Sequence, residues 1–133
     1  MSRRSRAREV VLQVLYQHDL NPDQDIDIRR QFVNARLNRN KGLVDFAKEL
    51  LDGVVAHRDE IDERLKSIAA NWQLSRMARI DRNILRLGAY EILFADTPDR
   101  VAINESIELA KRYGNDQSAQ FVNGILDRLM KRA

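Results

Sequence analysis

Ile80-Asp81-Arg82-Asn83-Ile84-Leu85-Arg86-Leu87-Gly88-Ala89-Tyr90-Glu91-Ile92-Leu93-Phe94 is the most apolar long helical pattern in the chain. Ile80, Ile84, Leu87, Gly88 and Ile92 recur at helical spacing, and Leu85, Ala89 and Leu93 add a second stripe beside the first. A helix apolar over that much of its circumference is buried rather than laid on a surface. Gly costs about 1 kcal/mol against Ala in a helix interior, so the Gly88-Ala89 step marks a close approach by another helix. The pattern predicts a central helix over 76–94, with Trp72 to Ser75 as a joint and Ser75 as the N-cap. Arg76, Arg79, Arg82 and Arg86 fall on neighbouring turns. Asp81 and Glu91 are near enough to offset them, so they read as the solvated edge of a buried helix rather than a basic surface.

The rest of the chain reads as helices wrapped around this one. Its 133 residues predict one domain, 1–133, with room for a core. Gly (5) and Pro (2) are scarce, which favours an all-α fold. Further helices are predicted over 3–19, 26–37, 43–57, 59–71, 98–113 and 118–131. Candidate inward residues are Val10, Val11, Leu12, Val14 and Leu15 on the first, and Ile28, Phe32 and Val33 on the second. The third offers Leu43, Phe46, Ala47, Leu50, Leu51, Val54 and Val55, and the fourth Ile61, Leu65, Ile68 and Ala69. Val101, Ile103, Ile107, Leu109 and Ala110 follow on the sixth, then Phe121, Val122, Ile125, Leu126 and Leu129. Thr97 is the expected N-cap of the sixth helix, Pro98 its first residue, and Gly114 its C′ stop. Segments 8–17 and 82–91 echo each other, as do 50–55 and 121–126. Two halves of similar plan would explain this, and so would chance matches between amphipathic helices.

Charge is unevenly placed. Of 23 Lys and Arg and 20 Asp and Glu, residues 1–9 hold four and one, which leaves 19 of each elsewhere. The whole net charge of +3 therefore sits with Arg3, Arg4, Arg6, Arg8 and Glu9. Such a cluster is an electrostatic footprint for a polyanion or, equally on charge alone, a solubilising terminus. The first helix continues it: Arg6, Gln13 and Gln17 share one side, bordered by Tyr16. Arginine binds phosphate, amides read base edges and a tyrosine ring stacks on an unpaired base, so the stripe suits a nucleic acid. A solvated face with a half-buried Tyr is the plainer alternative.

Catalytic chemistry is not signalled. Without Cys there are no disulfides or thiolates, which fits a cytoplasmic protein. His18 and His57 stand in no metal-ligand spacing, and neither a phosphate-cradling glycine loop nor a nucleophile elbow is present. No cofactor is expected. The carboxylates read as capping or solvated charges. No apolar run approaches the roughly 18 residues of a membrane span, and no apolar region with a cleavage site follows the basic start.

Five segments together resemble the NusB family of transcription antitermination factors: Arg4-Ser5-Arg6-Ala7-Arg8-Glu9 leading into 12–16, Glu49-Leu50-Leu51-Asp52-Gly53-Val54, Asn83 to Glu91, Val101 to Lys111, and Phe121-Val122-Asn123-Gly124-Ile125-Leu126-Asp127. Ala102-Ile103-Asn104-Glu105 and Phe121-Val122-Asn123-Gly124 are the most specific, because amphipathicity alone does not dictate them. The resemblance implies seven helices in two packed three-helix bundles and no enzymatic activity. It implies binding of single-stranded boxA RNA with the ribosomal protein NusE, in an RNA polymerase elongation complex with other Nus factors, notably on ribosomal RNA operons. Matched position by position, it puts RNA contacts at Arg3, Arg4, Arg6, Arg8, Tyr16, Lys111, Tyr113 and Phe121, to which the polar stripe of the first helix adds Gln13. It puts the NusE surface at Arg79, Asp81 and Arg82. Ser5 interrupts the arginine run that relatives carry, and Gln117 stands where some have an acid. Relatives also self-associate, which admits a homodimeric helical scaffold, and similar domains occur fused to RNA cytosine methyltransferases.

Overall fold

The computed structural model describes residues 2–69 and 77–132, and among these it contains seven α-helices and no strand. They are α1 (Arg3–Leu20), α2 (Ile26–Arg36), α3 (Lys41–Ala56), α4 (Arg58–Ile68), α5 (Arg79–Phe94), α6 (Asp99–Tyr113) and α7 (Ser118–Arg132). One bundle is α1, α2 and α3; the second is α5, α6 and α7; α4 spans from α3 to α5 and α7. The bundles are joined because α5 also packs on α1 and α3. None of the helices is long and apolar enough to cross a membrane.

The central helix is where the apolar pattern put it. Every residue from Asn83 to Ile92 is buried. The expected N-cap Ser75, the joint at 72–75 and Arg76 lie outside the described residues, and α5 itself starts at Arg79 after Ala78. Gly88 does mark a close approach: a Cβ there would overlap Ser106 Oγ and stand 2.7 Å from Leu126 Cδ1. At Gly124 nothing lies within 4 Å of an added Cβ. The same substitution should therefore have opposite signs. Gly88→Ala is expected to cost about 1–3 kcal/mol of overpacking, beyond any gain in propensity. Gly124→Ala is expected to gain roughly 0.5–1 kcal/mol. Urea unfolding of the two variants checks both.

Several inward assignments were one helical row too wide. Among the described side chains of α2 only Val33 is buried, with Leu37 behind it, while Ile28 and Phe32 are 51% and 37% exposed. Positions 28, 32 and 36 form one i,i+4 row and 33 and 37 the next. Only the second faces α1 and α3, and the Arg36 guanidinium covers the Phe32 ring at 5.3 Å. Val55 and Val101 likewise sit just outside their stripes and are exposed. The hydroxyl of Thr97 does not cap α6; it donates to Glu91 Oε1 at 2.8 Å. Gly114 is extended (φ −90°, ψ −169°) rather than left-handed. Space is what it supplies, since a Cβ would overlap Ser118 and come within 2.8 Å of the Ala110 carbonyl. The internal echo does not extend to packing: Gly53 makes room for the Tyr90 ring, whereas Gly124 faces open space.

Candidate nucleic-acid interface

The four N-terminal arginines do not form one patch. Ser2 starts α1, its Oγ accepting the Ser5 amide at 3.1 Å, and helical pitch then sends the arginines to two sides. Arg3 and Arg6 open onto a groove of 790 Å³ beside the α2–α3 connection. Arg4 and Arg8 turn the other way, their guanidinium carbons 4.6 and 5.2 Å from the centre of the Phe46 ring.

Arg8 is not a surface contact. It is 3% exposed, donates from Nε and Nη2 to both oxygens of Glu91 at 2.8–3.1 Å, and lies 3.5 Å from Glu105. Glu91 is 1% exposed and belongs to α5, so this bidentate pair pins the first bundle to the second. The expectation that Arg8 meets RNA gives way to an internal role. Helical position alone could have signalled this, because Arg8 follows the buried Ala7 and precedes Val11 and Leu12 by one turn.

Arg86 shows the same correction. Far from edging a solvated face, it is 4% exposed and donates to Asp62 at 2.8 and 3.0 Å and to Asp19 at 3.4 Å. Asp19 also accepts from Asn83 at 2.9 Å and pairs with Arg58 at 3.2 Å. Asp19 thus anchors one bundle to the other and Asp62 ties α4 to α5, so neither is a capping or solvated charge. Arg82 is half-buried on α5. Burial, then the neighbouring Arg86, push its pKa down.

The α1 stripe does converge, and it recruits α6. Glu9 is 3% exposed and accepts from Arg6 and from Arg112 at 2.7 Å. Burial by itself raises the Glu9 carboxyl; hydrogen bonds from Tyr113, Arg112 and Arg6 outweigh it and hold the pKa below the usual range. Burial, then the bond to Glu9, raises the Tyr113 phenol. Tyr113 thus stands fixed beside Gln13. Past it lies a groove of 530 Å³ lined by Leu12, Gln13, Tyr16, Gln17, Tyr113 and, from the start of α5, Ala78, Arg79 and Ile80. Gln13 Oε1 is buried with no donor among the described residues. Arg112 and Glu9 are members of this face that the sequence did not single out. Lys111 is not: it is exposed and paired with Glu108 at 3.5 Å, and does not line the groove.

A second concavity lies across the start of α5, bounded by Met77, Ala78, Asp81, Gln117, Gln120 and Phe121, among others. Phe121 therefore sits with Asp81 rather than with the arginines. Asp81 is 9% exposed, and its Oδ1 is buried with no donor among the described residues. The first turn of α5 thus presents Arg79 to one groove and Asp81 to the other. Among the described residues no cluster of His, Asp or Glu could hold a metal ion.

Such a fold and face define an all-α binding module with a cationic, aromatic-lined stripe. The NusB family model matches residues 5–131, and the chain belongs to the NusB family. A transcription antitermination protein NusB from Desulfitobacterium hafniense is 47% identical over 98% of this chain and 89% of its own length. The solved T. maritima NusB superposes with a TM-score of 0.86 at 38% identity, over 98% of this chain and 92% of its own. A chain in a crystal structure of the antitermination factors NusB and NusE in complex with dsRNA gives 0.88 at 29% identity, over 100% and 99%.

Proposed function

We propose that this chain is a transcription antitermination factor that binds single-stranded boxA RNA together with the ribosomal protein NusE. It acts as one domain within a cytoplasmic RNA polymerase elongation complex with other Nus factors, notably on ribosomal RNA operons. Its role is binding, not catalysis. Membership of the family and the names of its relatives support antitermination. The solved complex of NusB and NusE with dsRNA supports both kinds of partner.

The observation on this chain that carries the reading is the groove where Gln13, Tyr16 and Tyr113 meet, with Arg79 of the NusE-facing turn of α5 at its edge. Two tyrosines offer stacking faces, and Gln13 Oε1 is an acceptor with no donor among the described residues. Stacking and edge reading together require a base that is not already paired, which favours a single strand over a duplex. The RNA-facing residues on this reading are Arg3, Arg4, Arg6, Gln13, Tyr16 and Tyr113. NusE docks at Arg79, Asp81 and Arg82, with Phe121 beside Asp81 on that same side. Asp81 Oδ1, which has no donor among the described residues, then receives one from NusE.

Fluorescence anisotropy of a labelled boxA strand, titrated with the protein alone and then with NusE, tests both surfaces. NusE is expected to tighten binding, and the same sequence as a duplex to bind more weakly. Equal affinity with and without NusE, or a preference for the duplex, would count against the reading.

A further inference from the structure

The groove of 790 Å³ beyond Arg6 is not explained by a boxA site on α1 and α6. Its walls come from Ser2, Arg3 and Arg6 on one side and from the end of α2 and the following connection on the other, including Arg36, Asn38 and Asn40. No carboxylate is among its lining residues. Two segments about thirty positions apart in sequence thus bring three cations to one concave surface. The connection is sharply bent, with Asn38 and Arg39 both left-handed at φ 54° and 57°, and Asn40 is held by capping the Leu43 amide at 3.2 Å. Arg36 is placed by its stack on Phe32.

We infer that this groove binds the phosphate backbone of nucleotides flanking the boxA element, with Arg36 as a phosphate contact continuous with Arg3 and Arg6. The inference rests on the RNA-binding reading above and extends it. Arg6 is the shared residue: it lines this groove and heads the α1 stripe through Glu9. Ten residues of α1 separate it from Tyr16, about 15 Å of helix. A strand with a base stacked on Tyr16 must therefore run on for several nucleotides to reach Arg36. Phosphate contacts by cations bind by charge and carry little sequence preference.

The test compares a minimal boxA oligonucleotide with the same strand carrying an oligouridine flank on its 5′ or its 3′ end, each titrated at several salt concentrations. Arg36→Gln should flatten the log–log salt slope by about 0.7 for one of the two flanked strands, the value for one phosphate contact on a single strand. The minimal strand should be unaffected. Arg36→Lys should restore the slope, which a purely structural stack on Phe32 would not. An unaltered slope on both flanked strands overturns the inference. So does an equal loss on the minimal strand, which would make Arg36 part of the boxA site itself. If the unsubstituted chain binds none of these strands, the RNA-binding reading falls, and this inference with it.

Discussion

Replacing Arg8 with Met is expected to destabilise the protein by about 3–5 kcal/mol, because it strips the cation from a buried pair and leaves Glu91 uncompensated. Glu91 is 1% exposed, and its remaining side-chain partner among the described residues is the Thr97 hydroxyl. The melting temperature should fall by on the order of 10 °C or more. Substituting both ends, Arg8→Met with Glu91→Leu, should recover most of the loss, since well-packed apolar groups often replace a buried ion pair at little cost. What stays lost is the Thr97 hydroxyl's partner, worth about 1 kcal/mol. Glu105 keeps its bond from Ser5 at 2.6 Å. Thermal unfolding of the single and double variants decides the matter. If the double variant is as unstable as the single, the pair is not the source of the loss.

The same residue shows what the sequence could and could not reveal. Apolar periodicity was sufficient for the seven helices, because a helix buried on several sides, as α5 is, repeats its apolar residues every three to four positions. The width of each stripe was less legible. Ile28, Phe32, Val55 and Val101 differ from their buried neighbours by one helical row, and which row faces inward depends on the partner helix, not on the helix itself. Charge was hardest to read. Counting arginines correctly placed a cationic excess at the start of α1, yet Arg8 and Arg86 spend their charge on carboxylates that lie 83 and 24 positions away. Helical position could have marked Arg8 as inward, but nothing local in the sequence names the distant carboxylate partners. Tyr113 was tied to RNA only by family resemblance and Gln13 only by the α1 stripe, and it takes the packing of α6 on α1 through Glu9 to make them neighbours.

That division predicts a second large effect, on binding instead of stability. Replacing Arg3, Arg4 and Arg6 together with Ala should flatten the salt dependence of boxA binding by about 2 log units per log unit of salt, at roughly 0.7 per phosphate. Extrapolated from 1 M, where that term vanishes, to 0.1 M, a slope change of about 2 amounts to an affinity loss on the order of 100-fold. Stability should hardly move. The Arg6–Glu9 pair is 40% exposed on the arginine side and so contributes little, and Glu9 keeps Arg112 and Tyr113. The stable double variant of Arg8 and Glu91 should do the reverse, keeping the slope of the unsubstituted protein although it too lacks an N-terminal arginine. Arg4 is the deciding member of the trio, since it faces Phe46 and away from Arg3 and Arg6. If Arg4→Ala alone is silent while Arg3→Ala with Arg6→Ala gives most of the slope change, the strand follows the stripe from the basic groove toward Tyr16. If all three are silent, the RNA site does not lie on this terminus.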